Sequence, residues 1–163
     1  MHTPSRLQSL GALALSLFIC FAISGLGGAV TAGPVQSWYP ALLKPAFTPP
    51  PPVFPIAWTL LFLLMAVAAW RVWLVAGWQQ ARPALALFAI QLGFNLGWSV
   101  LFFGLQRPDL ALLEILALWL LIAATLRAFA RIDRWAALAL APYLAWVSFA
   151  ILLNGGIVWL NRG

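Results

Sequence analysis

The chain is poor in charge: only 7% of its 163 residues are charged, whereas 64% are hydrophobic. A water-soluble domain carries roughly a quarter charged residues, so this chain could not cover a surface facing water. Its solvent is mostly lipid. Cysteine and histidine are nearly missing. Cys20 stands alone, which excludes a disulfide within the chain, and His2 is the only histidine. With no second Cys or His, the sequence offers neither a nitrogen–sulfur metal site nor a His-based triad, and no metal is expected. Acidic residues number three, Asp109, Glu114 and Asp133. No carboxylate pair, Gly-rich phosphate loop or activated nucleophile is present. The nine basic residues leave a net charge of +6. They are spread singly, with no patch or stripe, so nucleic acid is not the expected partner. Scattered Lys and Arg instead fit loops that flank membrane spans.

What the chain has in excess is long apolar runs. A span needs about 20 mostly apolar residues to cross the hydrocarbon core. Five segments qualify: residues 7–30, 53–76, 84–105, 109–130 and 135–160. They are too long and continuous for barrel strands, which would be about half as long and would alternate. The expected fold is an all-α integral membrane bundle of five transmembrane helices, forming one domain over residues 1–163. The first run exceeds the roughly 7–15 apolar residues of a signal peptide and is read as a retained helix.

One connection is long. Residues 31–52 contain Trp38-Tyr39-Pro40, Lys44-Pro45 and Pro49-Pro50-Pro51-Pro52. Proline fixes φ and removes a donor, so the proline run should be extended and stiff. A loop of this length in a chain with otherwise short loops is usually functional. It is expected to fold over one end of the bundle as a lid. With five spans, Arg6, Arg71, Arg82, Arg127, Arg131 and Arg134 share one side, and Lys44, Arg107 and Arg162 the other. That bias places the N-terminus in the cytoplasm of a bacterial-type cell membrane.

Helical periodicity groups the remaining polar and aromatic residues. Gln91, Asn95, Trp98 and Phe102 fall on one stripe of the third span, and Gly93, Gly97, Val100 and Gly104 on the nearly opposite one. Small residues at this spacing let another backbone approach. The glycines therefore either form a dimer interface or pack within the same bundle. Trp58, Phe62 and Met65 line up in the second span, and Tyr143, Trp146, Ala150 and Leu153 in the fifth, with Asn154 at the flank. Pro142 is expected to kink the fifth helix or start it afresh. Of ten tryptophans, Trp58, Trp98, Trp119 and Trp146 lie deep, where an indole N–H wants a partner. Glu114 is expected to reach water or Arg107 at the nearby boundary.

These residues also carry a resemblance. Trp38-Tyr39, Lys44-Pro45, Pro49-Pro50, Phe54 and Trp58-Thr59, then Gln91-Leu92, Asn95, Trp98 and Phe102-Phe103, then Pro142 to Trp146 and Phe149-Ala150 with Leu153-Asn154, resemble the TspO/MBR family in order and over nearly the whole chain. The resemblance implies a five-helix bundle, often dimeric, whose pocket is closed by the first loop. It implies porphyrins such as protoporphyrin IX or haem as ligands, with no cofactor required, and sterol or benzodiazepine-type molecules as further ligands. It implies that Tyr39, Trp58, Phe62, Asn95, Trp98, Trp146 and Ala150 line the pocket. Some relatives degrade protoporphyrin IX in a light- and oxygen-dependent reaction, and Trp58 and Trp146 match the tryptophans implicated there. The sterol pattern of mammalian relatives is not reproduced, because Leu153-Asn154-Gly155-Gly156 is followed by no tyrosine. A porphyrin-binding or sensing protein is the leading expectation, and a porphyrin-degrading enzyme the alternative. A transporter is a further alternative, although the sequence shows no inverted repeat of the kind transporters use.

Overall fold

The computed structural model describes residues 4–162, so His2 lies outside the described residues. Those residues form α1 (Arg6–Ala32), α2 (Pro34–Ser37), a 3₁₀ turn (Tyr39–Ala41), α3 (Val53–Ser99) running into a π turn (Val100–Gly104), α4 (Pro108–Ala130) and α5 (Arg134–Leu160). No strand occurs among them. Four of these helices, α1, α3 with its π turn, α4 and α5, are long and apolar enough to cross a membrane. The protein is an all-helical integral membrane bundle.

The longest helix is two limbs. A straight helix would hold Trp58 and Asn95 about 55 Å apart at 1.5 Å per residue, yet both line one cavity. The chain doubles back at Gly77, the one residue of α3 outside helical backbone space, with φ 68° and ψ 172°. That region is essentially closed to residues with a β-carbon. The expected loop between residues 76 and 84 is thus a single-residue reversal, and Pro83 lies inside the second limb.

Small residues let the limbs meet. Ala66, Ala68, Ala81, Ala111 and Ala136 are wholly buried, beside Met65, Val72, Leu118, Ile122, Leu140 and Tyr143. In lipid there is little hydrophobic drive between helices, so close van der Waals packing and polar ties hold them. The outer helix α1 shows the second kind. Cys20 is its only buried residue. Ser16 Oγ donates to the Ala66 carbonyl at 2.7 Å, and the Trp70 indole donates to the Ser9 carbonyl at 3.1 Å. Its start is fixed by a reciprocal cap: the Gln8 amide donates to Ser5 Oγ at 3.2 Å, and the Ser5 amide to Gln8 Oε1 at 2.9 Å.

The two ends of the bundle are tied differently. At one end Asp133 caps α5, accepting from the Trp135 amide at 3.1 Å, and pairs with Arg71 Nε at 2.6 Å. At the other end Asn161 clasps the first loop. Its Oδ1 accepts from the Leu43 amide at 3.0 Å, and its Nδ2 donates to the Leu43 carbonyl at 2.9 Å.

Three expectations change. Residues 31–41 are largely helical rather than loop, and the proline run ends in turns that feed α3, with the Val53 amide donating to the Pro50 carbonyl at 3.0 Å. Helix α5 runs from Arg134 to Leu160 through Pro142, so Pro142 does not start the helix afresh. Glu114 reaches neither water nor Arg107. Both its carboxylate oxygens are buried without a partner, while Arg107 pairs with Asp109 at 2.6 Å.

Candidate functional site

A cavity of about 860 Å³ lies between α1, the first loop, both limbs of α3 and α5. The upper range of ligand pockets is near this size. The residues that the resemblance implied, Tyr39, Trp58, Phe62, Asn95, Trp98, Trp146 and Ala150, all lie on its wall. Four elements bring them together. The first loop supplies Tyr39, the first limb of α3 Trp58 and Phe62, the second limb Asn95 and Trp98, and α5 Trp146 and Ala150. Helix α4 stands behind, and its Ile115 and Leu118 close a void of about 10 Å³ beneath Asn95 and Trp98.

The aromatic walls are braced by one another. Trp58 meets Phe62 at 5.8 Å, Tyr143 at 6.3 Å and Trp146 at 6.4 Å between ring centroids, the last with an interplanar angle of 81°. Trp98 stacks on Phe102 at 4.9 Å and 24°. The π turn matters here. Successive residues of an α-helix diverge by about 100°, yet Phe102 and Phe103 are both buried, 2% and 9% exposed. The wider turn, closed by the Leu105 amide on the Val100 carbonyl at 2.8 Å, lets both rings face inward. There they meet Tyr39 at 6.2 and 5.7 Å and fix the loop above the cavity.

Polar groups divide into spent and unspent. Trp98 donates to Asn154 Oδ1 at 3.1 Å, and Asn154 Nδ2 donates to the Pro108 carbonyl at 2.9 Å, so this chain of bonds ties α3, α5 and the start of α4. Trp119 donates to Ser148 Oγ at 2.8 Å. Asn95 Nδ2 donates to the buried Tyr143 hydroxyl at 3.0 Å. The indole N–H groups of Trp58 and Trp146, and the Tyr39 hydroxyl, make no hydrogen bond within the described residues. Of the four deep indoles, two are structural ties and two keep a free donor beside the cavity. Burial raises the pKa of the Tyr39 phenol, which keeps that hydroxyl neutral. No carboxylate lines the cavity, and Lys44 is its one charged side chain.

Several lining residues were not singled out in the sequence as pocket residues: Ser24, Gly27, Gly28 and Thr31 of α1, and Lys44 and Thr48 of the loop. Helix α1 has no polar stripe to reveal its inner face. Lys44 did carry a signal, as the one cation in a proline-rich loop. The glycine stripe is divided. A β-carbon at Gly97 would stand 3.4 Å from Glu114 Oε1, and one at Gly104 would press on Val30 at 3.2 Å. These two pack within the chain, and only Gly93 faces open space. No cluster of three potential metal ligands exists among the described residues.

The sequence is similar to those of known proteins. The sequence model described as the TspO/MBR family matches residues 16–160. The chain is 45% identical to the tryptophan-rich protein TspO of Chlorobaculum tepidum over 151 residues, 91% of this chain and 95% of that one. It is 42% identical to the tryptophan-rich sensory protein of Cereibacter sphaeroides, over 90% of this chain and 92% of that one. Identity to the translocator protein of Bos taurus is 36%, over 79% and 78% respectively.

Proposed function

This chain belongs to the TspO/MBR family, and from that premise we propose that it is a membrane receptor for a flat tetrapyrrole of the porphyrin class, protoporphyrin IX or haem, which it senses or hands on. The observation that carries this reading is the indole pair. Trp58 and Trp146 stand edge to face at 6.4 Å on the wall of a cavity of about 860 Å³, each with an unspent N–H. A flat macrocycle offers aromatic faces to stack on and ring nitrogens or carboxyl groups to accept those donors. The same walls suit benzodiazepine-type aromatics, and they give no support to a specific sterol site.

In this reading the chain crosses the membrane five times, since the 52-residue helix doubles back at Gly77 and each of its limbs, roughly 35–40 Å long at 1.5 Å per residue, can span a bilayer core about 30 Å thick. The first loop is a lid. The N-terminus is cytoplasmic and the membrane is a bacterial cell membrane.

The test is a titration of the purified protein with protoporphyrin IX in the dark. We expect a saturable shift of the porphyrin absorbance band, weakened about fivefold in Trp146→Phe by loss of roughly 1 kcal/mol of hydrogen bonding. The absence of any saturable change would sink the proposal. The light-dependent enzyme rests on the same pair of indoles. Illumination of the loaded protein separates the two: a product formed by the native chain and not by Trp146→Phe favours the enzyme, whereas bleaching equal to that in protein-free detergent leaves the receptor.

A further inference from the structure

The cavity carries a positive charge that no side chain among the described residues neutralises. Each of the three acidic residues is accounted for elsewhere. Asp109 holds Arg107, Asp133 holds Arg71 at the other end of the bundle, and Glu114 lies buried against Gly97. Lys44 has no carboxylate partner among the described residues. Its ammonium is nonetheless fixed in place: Nζ donates to the Leu42 carbonyl at 2.8 Å and the Pro40 carbonyl at 3.2 Å, and stands 4.9 Å from the Tyr39 ring centroid. An ammonium has three donors, so one N–H remains unspent. The side chain is half-buried and lines the cavity, in a loop that Asn161 clamps to α5. A half-buried cation held by two carbonyls, with a spare donor and no anion, is poised for a charge-assisted hydrogen bond.

We infer that Lys44 is the specificity-determining residue of the cavity, and that it selects ligands bearing a carboxylate over their neutral counterparts. The aromatic body of the ligand lies on Trp58 and Trp146, and its acid group meets Lys44 beneath the loop. This inference rests on the cavity being a ligand site, but not on the ligand being a tetrapyrrole.

Two pairs of probes test it: protoporphyrin IX against its dimethyl ester, and 1-pyrenebutyric acid against its methyl ester. Each is titrated in the dark into the native chain, Lys44→Met and Lys44→Arg. The expected result is that the acids bind the native chain about tenfold more tightly than the esters. Lys44→Met should bind acid and ester equally, at the native ester affinity, and Lys44→Arg should restore the preference. Unchanged ester affinity in Lys44→Met shows that the variant is folded. No acid preference in either pair, or an equal loss for acid and ester, overturns the inference. A preference seen only with the pyrene pair upholds Lys44 and removes the tetrapyrrole reading. The anion could also come from a lipid headgroup. An acid preference present in phosphatidylcholine nanodiscs but abolished in phosphatidylglycerol nanodiscs would assign Lys44 to a net-anionic lipid headgroup and overturn the ligand anchor.

Discussion

At the residue scale, the sequence shows which groups need partners but not which partners they find. Four deep tryptophans looked alike by position. Only the packing of α5 shows that Asn154 and Ser148 take the N–H groups of Trp98 and Trp119 and leave those of Trp58 and Trp146 unspent. Glu114 misled for the same reason. Its distance from the span end suggested water, but a helix rotates its residues, and this one points at Gly97 of a neighbouring limb. Asp133 gives a prediction at this scale. Burial pulls its carboxyl up, while the Arg71 guanidinium and the amides of Trp135 and Ala136 pull it down more strongly, so its pKa is lowered. A carboxyl with a lowered folded pKa stabilises the fold fully above its unfolded value of about 4, and loses that contribution as pH falls through the folded one. Thermal unfolding in detergent should therefore show a Tm that declines below about pH 4. Asp133→Asn should lower the Tm at neutral pH and shrink the decline. An unchanged profile would mean that the pair with Arg71 contributes nothing.

At the scale of elements, run length revealed the helical limbs, because crossing lipid demands a continuous apolar run, although the second limb of α3 begins directly after Gly77 rather than at residue 84. The joints were not legible. The reversal at Gly77 needs one residue where a loop was expected, because glycine alone tolerates its backbone angles. The π turn at Val100–Gly104 leaves no trace in periodicity, yet it turns both Phe102 and Phe103 inward. The loop is the element most open to test. The Leu43–Asn161 clasp joins residues 118 apart and is exposed, and exposed polar ties contribute little to global stability. Asn161→Ala should leave the Tm within about 2 °C, since a change below 0.5 kcal/mol moves it by only ~1–2 °C. It should also speed dissociation of bound porphyrin severalfold in stopped-flow displacement. Unchanged release would show that the loop does not gate the cavity.

At the scale of the whole molecule, membrane class and helix content followed from composition, whereas the cavity did not. It is built where α1, the loop, both limbs of α3 and α5 come together from far apart in sequence, and α1 contributes residues without a polar stripe to announce them. The orientation drawn from the charge count is a prediction at this scale, and it turns on which of the two ends of the bundle faces the cytoplasm. The Arg71–Asp133 pair lies at one end and the Leu43–Asn161 clasp at the other. A C-terminal reporter active only in the cytoplasm should stay silent in a bacterial host, and an N-terminal one should be active. The reverse pattern would invert the proposed topology.

The clasp has a further consequence during biosynthesis. Leu43 is made 118 residues before Asn161, and no other side chain among the described residues hydrogen-bonds its backbone. The loop therefore emerges with nothing to hold it by that backbone, and stays so while the later helices are made and inserted. Only when the end of α5 arrives can this tie form. Until then the packing of Tyr39 on Phe102 and Phe103 is what the loop has to hold it, so its final placement waits on the last helix to be made.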